Sequence, residues 1–308
     1  MRNKTLRWAC LILGLLVTGA VSAKQPFSAI FVFGDSLSDT GNLASLPGFG
    51  FLTRPPFDRG YSNGPRAVEV LAKNLGLMVA PSLQSGTNFA FAGARARNVP
   101  DSIPDLEEQV TAFLLDHQGV APPDALYIVF IGASDVRDAR DAPNEGVANH
   151  IILDAVNAID INIRTLAISG AKAILVINSP DIGAMPETRL LAEHNHKPKL
   201  IRQATRDTRE FNRKLSKRLQ QTDHELGLDH LIEFDLFNFF RFITQQYLAL
   251  GFTDNKDACF SDETFAFNPD CNAGVIDQFV FFDEIHPTER IHERAGSALF
   301  AVVPEFTP

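Results

Sequence analysis

The stretch that decides the fold is Phe31–Asn42, which reads FVFGDSLSDTGN. The run from Ser28 to Phe33 is largely apolar, β-branched or aromatic, which predicts a short buried strand. Gly, Asp, Ser, Thr and Asn follow, and these residues favour turns and helix N-termini. A hydroxyl at the end of a buried parallel strand projects into the crevice where open α/β sheets bind ligands. We therefore expect Ser36 to be a nucleophile, which requires a base, an orienting carboxylate and an oxyanion hole elsewhere in the chain.

Strands and helices alternate along the rest of the chain. Continuous apolar runs predict strands at 125–132 and 172–178, and shorter runs predict strands at 88–93, 231–236 and 279–282. Helices are predicted from Pro65 to Gly76, from a cap at Ser102, and over 143–169, 199–226 and 237–250. The segment from Leu43 to Asn63 has no clear periodicity and is predicted as a loop. The alternation predicts a parallel sheet covered by helices on both faces, in a single domain from 24 to 308.

Residues 1–23 have the features of a secretory signal peptide. Arg2, Lys4 and Arg7 form a basic region, Trp8–Val17 is apolar, and Val21–Ala23 supplies the small residues of a cleavage site. The apolar run is too short for a comfortable transmembrane helix, so we expect a secreted or periplasmic protein. Cleavage would leave 25 of the 28 Lys and Arg residues against 37 Asp and Glu, a net charge of −12. Such a charge argues against binding to nucleic acid or to an anionic membrane surface.

Two of the three cysteines, Cys259 and Cys271, lie beyond the predicted signal peptide. In an exported chain a pair at this spacing predicts one disulfide, which would stabilise the fold by roughly 3 kcal/mol. The alternative is two unrelated free thiols.

The chain has eight histidines, and most of them lie in polar helices or loops, where we expect solvated side chains. His286 differs, because it lies in FVFFDEIHPT at 279–288, between an apolar strand and a predicted helix. Asp283 can turn back within one tight turn and accept the N–H of the imidazole ring. On these residues alone, Asp283 or Thr288 could instead cap the last helix and leave His286 as a loop residue.

An ordered set of motifs covers nearly all of the chain after residue 23. They are GDSL at 34–37, SDTGN at 38–42, SNGPRAVEVLA at 62–72, GTNFAFAGA at 86–94, NSPDIGAMP at 178–186, the cysteine pair, and DEIHPT at 283–288. The set resembles the GDSL lipase/esterase family, the SGNH hydrolases, of the secreted bacterial or plant-like type. The resemblance implies that Ser36 is the nucleophile and that Asp283 and His286 complete a catalytic triad, which favours this assignment over helix capping.

The resemblance also implies a fold and an activity. The expected fold is a three-layer α/β/α sandwich with a central parallel sheet, of the flavodoxin-like SGNH hydrolase type. The expected activity is hydrolysis of carboxylic esters without a metal or organic cofactor. In this family the oxyanion is held by the N–H of the nucleophile, a Gly and an Asn, which correspond here to Ser36, Gly93 and Ser134. Losing one such donor typically raises the barrier by roughly 3–4 kcal/mol.

The oxyanion position at Ser134 departs from the family pattern. The family motif GxND appears here as Gly132-Ala133-Ser134-Asp135, so a hydroxyl replaces an amide donor. Three interpretations stay open. Ser134 donates directly or through a water in a slower enzyme, two backbone donors suffice, or the chain is a weakened relative whose main activity is binding.

Other features leave further alternatives open. His194 and His196 could suggest a metal site, although two solvated histidines in a charged loop are the simpler interpretation. The phenylalanine-rich segment 234–242 is expected to pack in the core, with an acyl pocket or lipid contact as the alternative. Asp39 is expected to accept backbone N–H groups in the turn after Ser36. The predicted substrate is a small-molecule or lipid ester, with transient contact to lipid interfaces. Acyl transfer to an alcohol and deacetylation of a carbohydrate would use the same triad.

Overall fold

The computed structural model describes residues 27–304. The predicted signal peptide lies outside these residues and stays a prediction, as does the single domain over 24–308. The strands are β1 (Ile30–Gly34), β2 (Leu126–Phe130), β3 (Ala173–Ile177), β4 (His230–Phe234), β5 (Asp254–Ala258), β6 (Phe260–Ser261), β7 (Ala266–Phe267) and β8 (Phe279–Phe281). The helices are α1 (Ala67–Asn74), α2 (Leu106–Asp116), α3 (Ala133–Asp141), α4 (Glu145–Ile168), α5 (Pro186–His194), α6 (Leu200–Leu226), α7 (Leu236–Gln245) and α8 (Glu289–Val302).

Strands β1 to β4 form a parallel sheet in the order β1-β2-β3-β4. Every residue of β1, β2 and β3 is buried, as their apolar runs predict, whereas β4 at the edge is mostly half-buried. The register pairs Gly34 with Phe130, Phe130 with Ile177 and Ile177 with Phe234. The carboxyl ends of the four strands therefore lie at one edge of the sheet, and the residues that follow them share that edge.

The segment predicted as a strand at 88–93 lies beside β1 without forming a regular strand. Backbone hydrogen bonds of 2.7 and 3.1 Å link residues 87–91 to Val32 and Gly34. The side-chain amide of Asn42 donates to the carbonyls of residues 88 and 90, and the backbone of Asn88 also bonds to residues 80 and 82. With this segment beside β1, the spatial order is the segment, β1, β2, β3 and β4. If the five are numbered along the chain, with the segment as the second, this is the order 2-1-3-4-5 of flavodoxin-like folds. The predicted fold class is confirmed.

Helices cover both faces of this sheet. Helix α1 packs on α8 at one face, and α2, α4 and α6 pack together at the other, where α3 contacts α4 and α6. The sequence did not predict α3 or α5. Helix α3 reads ASDVRDARD and buries Asp135 and Arg140 beside small apolar residues, so it has no apolar stripe to reveal it. Helix α2 begins after Asp105, which forms a capping box with Glu108, instead of at Ser102. No helix within residues 27–304 is long and apolar enough to cross a membrane.

A second apolar cluster lies beside the sheet and contains Leu52, Phe57 and Phe282. It packs the predicted loop at 43–63, which contains two short 3₁₀ turns, against the β6–β7 hairpin. Cys259 and Cys271 at the base of this hairpin form a disulfide with Cα atoms 5.3 Å apart, as the sequence predicts. We call residues 259–271 the disulfide hairpin.

Candidate active site

Ser36, His286 and Asp283 are brought together although 250 residues separate the first two. The Nε2 atom of His286 lies 2.7 Å from Ser36 Oγ, and Nδ1 lies 2.8 Å from Asp283 Oδ2. Asp283 also accepts the backbone N–H groups of His286 and Ile285 at 2.7 and 2.8 Å, so the carboxylate is fixed by the turn that carries the imidazole. Neither Asp283 nor Thr288 caps α8 with its side chain.

The turn after β1 exposes only its serine. Ser36 is partly exposed, whereas every other residue from 31 to 44 is buried. Asp39 accepts four backbone N–H groups, three from residues 41–43 and one from Ala92, which agrees with the role expected for it. Asp35 accepts the N–H of Leu37 at 3.0 Å, and its Oδ2 has no hydrogen-bond partner among the described residues. Burial raises the pKa of Asp35 to about 6.

The two other predicted oxyanion donors follow neighbouring segments at the same edge of the sheet. Gly93 lies in a turn after the segment beside β1 and has φ +93°, a conformation that favours glycine. Ser134 is buried in the first turn of α3, which begins after Gly132 with φ +118°. A Cβ at Gly132 would lie 2.3 Å from the Phe211 ring, so this start of α3 requires glycine.

A buried carboxylate links these two donor segments. Asp135, next to Ser134, accepts the N–H of Ala96 at 2.7 Å, and its Oδ1 lies 3.2 Å from Arg97 Nε. Burial raises the pKa of Asp135 to about 7 although the amides and Arg97 favour its charged form. The loop that follows Gly93 is therefore tied directly to the start of α3.

These segments match a known family. A family model described as GDSL-like Lipase/Acylhydrolase matches residues 30–299. The chain belongs to this family. The predicted family and the predicted class, an ester hydrolase, are both confirmed.

Relatives in the GDSL-like family carry lipase, esterase and acyltransferase names. The phosphatidylcholine-sterol acyltransferase of Aeromonas hydrophila is 29% identical over 264 residues, covering 82% of this chain and 72% of that protein. The GDSL esterase/lipase APG of Arabidopsis thaliana is 26% identical over 326 residues, covering 91% and 92%. A solved structure of Axe2, an acetylxylan esterase from Geobacillus stearothermophilus, has a TM-score of 0.48 at 14% identity and covers 93% of this chain and 100% of that one.

The sequence did not predict the placement of two further residues close to Ser36, His286 and Asp283. The ring of Tyr61 stacks on His286 with centroids 4.9 Å apart and an interplanar angle of 16°. Burial, together with nearby carboxylates such as Asp262, raises the pKa of Tyr61 to about 12, so its hydroxyl keeps its proton at neutral pH. His292 is buried beneath the site, in contrast to the expectation of a solvated side chain, and burial lowers its pKa to about 3. Local sequence carries no signal for the stacking of Tyr61, whereas the helical spacing of His292 with Ala295 and Leu299 could have indicated its burial.

The remaining sequence candidates are the histidine pair at the end of α5 and the phenylalanine-rich segment, whose cavity is also lined by Leu37 and Pro287 next to Ser36 and His286. His194 and His196 are exposed at and just after the end of α5, and residues 27–304 contain no group of three or more side chains that could hold a metal ion. In the phenylalanine-rich segment, Phe234, Phe237 and Phe240 are buried and Phe242 is exposed. Phe234 and Phe240 help to line an apolar cavity of about 30 Å³. This volume holds about two water-sized groups, so core packing is the better description of the segment.

Proposed function

We propose that this chain hydrolyses carboxylic esters through an acyl-enzyme on Ser36. The observation that carries the proposal is the 2.7 Å contact between Ser36 Oγ and His286 Nε2, with Asp283 on the opposite ring nitrogen. Asp283 accepts a hydrogen bond from Nδ1–H, which keeps the proton on Nδ1 and leaves Nε2 free to accept the proton of the serine hydroxyl. A neutral imidazole held in this tautomer is what a weak alcohol nucleophile needs.

In the proposed reaction, Ser36 Oγ attacks the ester carbonyl carbon while its proton moves to His286 Nε2. The backbone N–H groups of Ser36 and Gly93, with the Ser134 hydroxyl, stabilise the negative charge on the carbonyl oxygen. His286 then gives the proton to the departing alcohol oxygen. Water attacks the acyl-enzyme with His286 as base, and the carboxylic acid leaves as Ser36 recovers its proton.

Labelling by a fluorophosphonate tests the nucleophile directly. We expect covalent labelling of Ser36 in the folded protein, located by peptide mass spectrometry. Ser36→Ala should lose both labelling and p-nitrophenyl ester hydrolysis, the latter by about 10⁴-fold or more. Ser38→Ala is the matched control, because it removes a hydroxyl only two residues from Ser36. That hydroxyl is buried and has no hydrogen-bond partner among the described residues. If hydrolysis survives in Ser36→Ala with an unchanged melting temperature, the assignment is wrong.

Replacing Ser134 tests the departure from the family pattern. If its hydroxyl holds the oxyanion, Ser134→Asn should raise kcat, and Ser134→Ala should lower it with little change in KM. Equal kcat values in all three proteins would mean that the backbone donors suffice. Absence of both labelling and hydrolysis in the natural chain would support the alternative of a binding protein.

Acyl transfer to an alcohol is a second candidate activity, supported by the acyltransferase name of the Aeromonas relative. Mass spectrometry of products formed with an added alcohol separates a new ester from a free acid, and acetylated xylo-oligosaccharides test carbohydrate deacetylation. We also propose export, supported by the pattern of residues 1–23. N-terminal sequencing of the exported protein should then begin at Lys24.

A further inference from the structure

A row of aromatic rings leads from the triad to solvent. Tyr61, which stacks on His286, lies 6.1 Å from the centroid of Phe57, and Phe57 lies 5.6 Å from Phe51. Phe51 in turn lies 5.5 Å from Phe265. We call Tyr61, Phe57, Phe51 and Phe265 the aromatic strip. Phe57 is buried behind the others, Tyr61 and Phe51 are half-buried, and Phe265 is 58% exposed.

The outer end of the aromatic strip is held in place by the disulfide hairpin. Phe265 lies between the two short strands of that hairpin and has φ +52°, a conformation uncommon for a residue with a side chain. The buried ring of Phe260, on the first strand, contacts Phe57 at 5.5 Å and Phe265 at 6.4 Å. The exposed ring of Phe265 is therefore carried by a hairpin that the disulfide closes, and it packs on the buried ring of Phe260.

The position of the strip relative to the triad decides which part of an ester could reach it. During acylation the carbonyl oxygen must face the N–H groups of Ser36 and Gly93, whereas the alcohol oxygen must lie within reach of His286 Nε2 to receive its proton. Tyr61 covers a face of that imidazole ring. A group attached to the alcohol oxygen is thus next to the inner end of the strip, and the acyl chain extends from the other side of the carbonyl carbon.

We propose that the aromatic strip binds the alcohol part of the ester, and that this alcohol is large and apolar. This inference rests on the proposed acyl-enzyme function. Aromatic rings offer flat apolar surface at a low cost in side-chain entropy, and they favour polycyclic or aryl partners through offset or edge contacts. Because deacylation retraces acylation, the same surface also receives an apolar acceptor alcohol. In that step the alcohol oxygen bonds to the acyl carbon, its proton passes to His286 Nε2, and the bond to Ser36 Oγ breaks as Oγ takes that proton.

Two pairs of esters separate the alcohol side from the acyl side. n-Butyl acetate and 4-(1-pyrenyl)butyl acetate share an acyl group and a primary alkyl leaving group, and they differ only in the pyrene. n-Butyl decanoate differs from n-butyl acetate only in its acyl chain. We expect Phe265→Ala and Phe51→Leu to lower kcat/KM for the pyrenyl ester about fivefold relative to n-butyl acetate, the order of one aromatic contact. The ratio of decanoate to acetate should not change.

Phe242→Ala is the matched control, because Phe242 is 55% exposed on α7 and lies outside the strip. It should leave both ratios unchanged, and equal melting temperatures should show that all three variants fold. The proposal is overturned if the strip variants lower the decanoate ratio instead, which would place the acyl chain there. It is also overturned if neither ratio changes.

A binding measurement tests the apolar subsite independently of the hydrolase mechanism. The fluorescence anisotropy of 1-pyrenebutanol reports its binding to the Ser36→Ala protein, which needs no turnover. Adding Phe265→Ala should raise the Kd about fivefold, and adding Phe242→Ala should not. Loss of all ester hydrolysis in the natural chain with this binding pattern intact would refute the acyl-enzyme and retain the apolar subsite. Equal binding in all three proteins would refute the subsite.

Discussion

The buried carboxyl group of Asp35, directly before Ser36, leads to a specific prediction about stability. Its pKa rises from an ordinary 3.8 to about 6 because burial outweighs the Leu37 amide and the nearby charges of His286 and Arg137, which favour the charged form. That difference corresponds to about 3 kcal/mol. Between pH 4 and pH 6 the native state retains a proton that the unfolded state has released, so raising the pH through this window destabilises the native state. This loss of stability is absent below the pKa that Asp35 has in the unfolded state and complete above the pKa that it has in the native state.

Asp35→Asn removes this titration and keeps an oxygen for the Leu37 N–H. The NH₂ group of the Asn would replace Oδ2, which has no hydrogen-bond partner in the described part of the chain. The free-energy cost of burying this unpaired group does not change with pH. The free energy of unfolding of the variant, relative to the natural chain, should therefore rise by about 2 kcal/mol between pH 4 and pH 7. Urea denaturation across this range measures the difference, and Asp124→Asn, at an exposed site, is the control. A difference that stays flat with pH would refute the reasoning.

Three further predictions follow from the site. Gly132→Ala should destabilise the fold by about 2–4 kcal/mol, because its φ is +118° and a Cβ would meet the Phe211 ring; an unchanged melting temperature would contradict this. Asp283→Asn should lower kcat by about 10⁴-fold by losing control of the His286 tautomer, and a loss under tenfold would count against the triad. Reducing the disulfide should free the hairpin that carries Phe265, whose two-residue strands are too short to persist alone. Hydrolysis of n-butyl acetate should then survive while the preference for the pyrenyl ester disappears.

Sequence patterns identified the sheet because three of its strands are apolar on both faces. The runs around Val129 and Val176 consist of aliphatic and aromatic residues without alternation, as expected for strands that are buried on both faces. The segment beginning at Asn88 shows where the pattern fails. After Asn88 it is apolar, but its backbone is shared between β1, residues 80–82 and the side chain of Asn42, and it forms only isolated bridges.

The candidate site was predictable where one short motif carries both partners of a contact. Asp283 and His286 share a turn, so their pairing follows from a spacing of three residues. The stacking of Tyr61 on His286 and the burial of His292 beneath the site depend on packing between segments more than 200 residues apart in sequence. The stacking of Tyr61 has no local partner from which it could be inferred, whereas the burial of His292 follows the spacing of Ala295 and Leu299 on the buried face of α8.

Three buried carboxylates explain how separate loops form one site. Asp39 bonds the turn after Ser36 to Ala92, Asp135 bonds the start of α3 to the loop after Gly93, and Asp35 lies between the nucleophile turn and α3. Asp39 and Asp135 accept backbone N–H groups that no helix or strand satisfies, and each of them bonds a second loop, so these contacts also fix the distance between two loops. Their burial raises all three pKa values, so holding these anions in the core has a cost in stability. Neutral side chains with one acceptor oxygen could not bridge as many amides, so the two anions that bridge loops hold Gly93 and Ser134 in position relative to Ser36 at a cost in stability.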